Sequence, residues 1–157
     1  MIAVLAWLEQ TAPSRFMRED FYAYFMALIG HAWGMALLVG GGVALCLRVL
    51  VLRGDGADAA PWRALLPLMK AGAVLAIVSG LALLAGYPAK ALTNWVFAVK
   101  FACLIAATML SRGLLRGDAP AAKARAALAL ALWLGGVAAG KLLLYTYAML
   151  TTAEVLG

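Results

Sequence analysis

FYAYFMALIGHAWGMALLVGGGVALCLRVLVL, residues 21–52, decides the fold. It is apolar for longer than the ~20 residues that a bilayer-crossing helix needs, so it reads as a membrane span that tilts or protrudes. His31, the chain's single histidine, stands inside it, and Arg48 stands near its end. Three more apolar stretches follow at 62–85, 93–115 and 122–150, and they carry Lys70, Lys100 and Lys141. The connections RGDGADAAP (53–61), GYPAK (86–90) and RGDAP (116–120) are rich in Gly, Asp and Pro and read as loops or a tight turn. Four spans with short connections predict an all-α polytopic membrane protein, an antiparallel four-helix transmembrane bundle. Residues 1–20 pair a short apolar run (Ile2, Leu5, Trp7, Leu8) with Glu9, Arg15, Arg18, Glu19 and Asp20. That pattern predicts a short N-terminal interfacial helix lying on the bilayer.

Composition agrees. The 157 residues are 66% hydrophobic and 13% charged, against about 45–50% and about 25% in soluble domains. One bundle (21–157) uses up the length, so a single domain without a soluble catalytic module is expected. The net charge of +6 does not mark nucleic-acid binding, because the cations sit in short loops and in the membrane. Arg48, Arg53 and Arg63 surround the first loop, and Arg112, Arg116, Lys123 and Arg125 surround the third. The positive-inside rule then puts both termini outside. The opening residues lack a basic segment before their apolar run, so they do not read as a cleavable signal. Cys46 and Cys103 read as small buried hydrophobes. With no CxxC, paired-histidine or HExxH spacing, a self-contained zinc site is not expected.

The buried cations are the functional clue. Every acid of the chain (Glu9, Glu19, Asp20, Asp55, Asp58, Asp118, Glu154) lies at an end or in a loop. An ionisable group at membrane depth costs about 2.5–3.5 kcal/mol even on lenient insertion scales, which makes it a functional-site candidate. At 1.5 Å per residue, His31, Lys100 and Lys141 lie roughly 15, 10 and 14 Å from the outer ends of their spans. Three helices are therefore expected to bring an imidazole and two amines to one layer, with Trp33, Met35, Trp95 and Tyr145 as candidate walls. Lys70, nearer the opposite side, stands apart.

Haem b would use all three groups, with His31 as axial metal ligand and the lysines on the propionates. A lone histidine leaves the sixth position to Met35, Met149, a lysine or a second protomer. A quinone would instead accept hydrogen bonds from His31 or a lysine and stack on Trp33, Trp95 or Tyr145. Lysines near span ends can also snorkel to the headgroups. Gly30 and Gly34, and again Gly136 and Gly140, have GxxxG spacing. Such faces pack helices closely, and they also leave room for a flat cofactor or a homodimer contact.

The segments FYAYFMALIGHAWGMALLVGGG (21–42), Ser79-Gly80-Leu81, NWVFAVKFACLIA (94–106) and WLGGVAAGKLLLY (133–145) occur in this order. With the leader WLEQTAPSRFMRED (7–20), they resemble an uncharacterised family of small bacterial four-helix integral membrane proteins. That family is itself similar to the CopD copper-resistance domain and to b-type cytochrome bundles. The resemblance implies a bacterial inner-membrane location and recurring positions at His31, Asn94 to Lys100, and Lys141. Where relatives carry arginine and an acidic–basic pair, this chain has Lys141 and Cys46-Leu47-Arg48, so Arg48 lacks that acid. The copper side lacks support here, since no Met- or His-rich entry site exists.

The leading expectation is a redox-type membrane subunit binding haem b or quinone in the outer half of the bundle. The alternatives are a structural accessory subunit whose cations meet acids on a partner membrane or periplasmic protein, and a permease-like element for an anion or metal. No nucleophile–base pair is evident in the sequence, so a self-contained enzyme is not expected.

Overall fold

A computed structural model describes residues 2–51, 63–116 and 122–155. The loop read at 53–61 lies outside the described residues, as does the loop read at 116–120 apart from Arg116, which ends a helix. The elements are α1 (Ile2–Glu9), α2 (Ala12–Glu19), α3 (Phe21–Val51), α4 (Leu65–Gly86), α5 (Pro88–Leu92), α6 (Trp95–Arg116) and α7 (Ala122–Val155). Four of them, α3, α4, α6 and α7, are long and apolar enough to cross a membrane. The protein is an all-α polytopic bundle.

Local chemistry sets the boundaries. Asp20 caps α3, its Oδ1 accepting from the Ala23 N–H at 2.7 Å. Asn94 caps α6 through the Val96 N–H at 3.0 Å and also donates from Nδ2 to Thr146 Oγ1 on α7 at 2.8 Å. The N-terminal segment is two short helices rather than one, broken at Gln10-Thr11 where Pro13 opens α2. The turn expected at 86–90 contains the start of a third short helix, α5. Pro88 at its first turn has the φ that a helix needs, and Glu9 Oε1 accepts from the Ala89 N–H at 3.3 Å. Ser14, fully buried, donates to the Gly86 carbonyl at 3.3 Å. Arg18 donates to the Glu9 carbonyl and lies 3.9 Å from its carboxylate. These bonds fasten α1 and α2 as a collar over one end of α4.

The bundle is two tight hairpins. In the first, α3 meets α4 at Gly34 and Gly72, where a Cβ on Gly72 would lie 2.6 Å from Leu37 Cβ and 2.9 Å from the Gly34 carbonyl oxygen. In the second, α6 meets α7 at Gly136, where a Cβ would lie 2.8 Å from Leu104 Cδ2. Gly34, Gly72 and Gly136 are therefore used for packing inside the chain, whereas nothing lies within 4 Å of a Cβ built on Gly40 of α3. The hairpins join mainly through α3 and α7, whereas α4 and α6 barely touch.

The core sits toward the basic-loop end. Trp133 is completely buried there with Cys46, Ala107, Ala126 and Ala129. The missing side chain of Gly42 makes the space for the indole, which a Cβ would strike. The indole N–H donates to Ser111 Oγ at 3.1 Å, so this polar atom enters the core with a partner.

Candidate functional site

His31 points from α3 toward α4. Its Nδ1 lies 3.0 Å from the Ala76 carbonyl oxygen and 3.4 Å from Ser79 Oγ. The Ser79 hydroxyl donates its only proton to the Leu75 carbonyl at 2.6 Å, so it turns a lone pair toward the ring. Both neighbours of Nδ1 are thus acceptors. Nδ1 must carry the proton, which leaves the lone pair of the neutral ring on Nε2. Gly80 lets the ring rest against α4, because a Cβ there would come within 3.2 Å of Cε1.

The Nε2 side meets Lys100, whose Nζ lies 3.5 Å away. Lys100 reaches it from the inward stripe of α6, which runs Val96, Lys100, Cys103, Ala107, Ser111 at helical spacing. Its stem passes over Gly140 of α7, where a Cβ would stand 3.5 Å from Cε. Both side chains are half-buried. The pair bridges the two hairpins, His31 of α3 resting against Ala76 and Gly80 of α4 and Lys100 of α6 against Gly140 of α7. It lies about 9 Å below the Asn94–Thr146 bond, counting six residues of α6.

The other expected site residues go elsewhere. Lys141 follows Gly140 by one residue, a rotation of about 100° on a helix, and it is exposed on the outside of α7. Trp33, Trp95 and Tyr145 are 67%, 75% and 64% exposed, on outward faces of their helices. Met35 packs against the Trp133 core. Lys70 is exposed on α4, and the Met149 side chain lies outside the described residues. The structure therefore joins His31 to Lys100 and adds Ser79, Gly80 and the Ala76 carbonyl. Ser79 and Gly80 belong to the segments that carry the family resemblance, which implies no role for them. Among the described residues, no three His, Cys, Asp or Glu side chains converge to hold a metal. A cleft of about 390 Å³ beside the collar is lined by Leu8, Pro13, Leu81, Leu84 and Leu92, and none of the expected site residues lines it.

Fold and site define a class: a multi-pass all-α membrane protein with a proton-donor and proton-acceptor pair inside its bundle. The chain matches no protein-family model, no curated protein and no solved structure.

Proposed function

We propose that this protein is a redox-type membrane subunit whose His31–Lys100 pair takes the head group of a quinone. The observation that carries the reading is the 3.5 Å approach of Lys100 Nζ to His31 Nε2 at membrane depth, in spans whose sequence offers no carboxylate. A bound quinone supplies two-electron, two-proton chemistry. Lys100 donates to a carbonyl oxygen, and Nε2 accepts from a hydroxyl of the reduced form. Ala76 and Ser79 hold the imidazole in the tautomer that this needs. The bilayer delivers such a ligand from the side, where α4 and α6 barely touch.

Haem b meets these residues only in part. Nε2 has the lone pair of an axial ligand, and its Nδ1–H is oriented by a backbone carbonyl as metal-bound histidines usually are. Lys100, however, stands against that same nitrogen, and Lys141 faces away, so the two lysines do not converge on propionates. We further propose a bacterial inner-membrane location with both termini outside, and a partner membrane or periplasmic protein or a second copy of the chain that exchanges the electrons.

The test is the content of protein purified in nanodiscs. Co-purified quinone should exceed that of a His31→Ala variant, with no Soret band in the visible spectrum. Equal quinone in both proteins would sink the proposal. A Soret band lost in His31→Ala would replace it with the haem reading.

A further inference from the structure

We propose that Lys100 is a nucleophilic amine that condenses with bilayer-borne aldehydes, with His31 as its base. The arrangement is nucleophile, base and orienter in sequence, which is the geometry that activates a nucleophile elsewhere. Lys100 Nζ lies 3.5 Å from His31 Nε2, and Nδ1 lies 3.0 Å from the Ala76 carbonyl that fixes the ring. No carboxylate in the spans holds the amine as an ion pair. His31 and Lys100 are only half-buried in helices long and apolar enough to cross a membrane, so the carbonyl compound suited to reach them is one dissolved in lipid, such as a long-chain aldehyde. The inference stands on the pair's geometry and does not need the quinone reading.

The chemistry balances without an oxidant or reductant. The Lys100 ammonium gives one proton to Nε2, and the freed lone pair attacks the aldehyde carbon as the carbonyl π pair moves to oxygen. Nε2 relays one proton from nitrogen to that oxygen, which gives the carbinolamine. The imidazolium then protonates the hydroxyl, water leaves, and a protonated imine remains. One ammonium and one aldehyde become one iminium and one water, and His31 ends as it began.

Lys141 serves as the internal control, since it lies at similar depth but on the outer surface of α7. The wild-type protein in nanodiscs, stripped of quinone, is incubated with hexadecanal and sodium cyanoborohydride, and the alkylated lysine is mapped by peptide mass spectrometry. One alkyl group per chain on Lys100, formed ahead of Lys141 and Lys70, is expected. His31→Ala should slow the Lys100 adduct about 100-fold, the lower range for a positioned general base. Lys141 or Lys70 reacting as fast as Lys100, or Lys100 remaining unmodified, overturns the proposal without any variant. Because quinone content is measured separately, loss of either reading leaves the other standing on its own result.

Discussion

Around Trp133 the bundle is closed: an indole, a thiol, a valine, three alanines and one hydroxyl lie buried together, and the Trp133 N–H is matched to Ser111. Around His31, about 10 Å away along α7 by the seven residues from Trp133 to Gly140, the same helices enclose an imidazole and an amine. There the groups are half-buried, and α4 and α6 barely touch along their length. Lipid offers little hydrophobic drive for helix association, so close packing carries membrane-bundle stability. The closed half can carry that packing while the open half keeps polar groups that packing alone would exclude. The difference teaches that close packing and a polar pair are placed at different levels of one bundle.

That comparison can be broken from either side. Replacing His31 by alanine or Lys100 by methionine should abolish selective ligand retention while leaving the unfolding midpoint in detergent nearly unchanged. If either variant unfolds, the polar pair is structural and the contrast fails. Trp133→Ala should do the reverse, costing about 3–5 kcal/mol as large-to-small core changes do, measured by denaturant titration of folded protein. Gly34→Leu should destabilise the α3–α4 hairpin by at least about 1–3 kcal/mol through overpacking, since a Cβ there already meets the Ala76 backbone. A shift from dimer to monomer with no loss of stability would show instead that the face serves a second copy.

Two smaller effects sharpen the picture. Asn94→Ala removes an N-cap and the link to Thr146, for a loss of about 1 kcal/mol. Lys141→Met should change ligand retention hardly at all, because an outward lysine can extend its amine toward the headgroups. An effect equal to that of Lys100→Met would return Lys141 to the site.

The spans and the shared level of His31 and Lys100 are legible in the sequence because length, hydropathy and the rise per residue are local properties. The pairing of those two residues is half legible. Depth alone groups His31, Lys100 and Lys141, but direction around the helix separates them. Lys100 falls on the stripe Val96–Cys103–Ala107–Ser111, whereas Lys141 sits one residue past Gly140, which ends the stripe Ala126–Ala129–Trp133–Gly136–Gly140. Reading that rotation would have set Lys141, Trp33 and Trp95 outside. The roles of the Ala76 carbonyl and Ser79 were not legible, because a backbone oxygen leaves no mark in sequence and a mid-helix serine most often bonds its own helix.

The most direct test uses the fact that His31 is the chain's single histidine, so its two ring nitrogens give an unobstructed ¹⁵N magnetic-resonance signature in nanodiscs. The account predicts a proton on Nδ1 and a lone pair on Nε2, with the Nε2 signal moving in Lys100→Met and the Nδ1 signal moving in Ser79→Ala. A proton on Nε2, with neither signal responding to Lys100→Met, would contradict it.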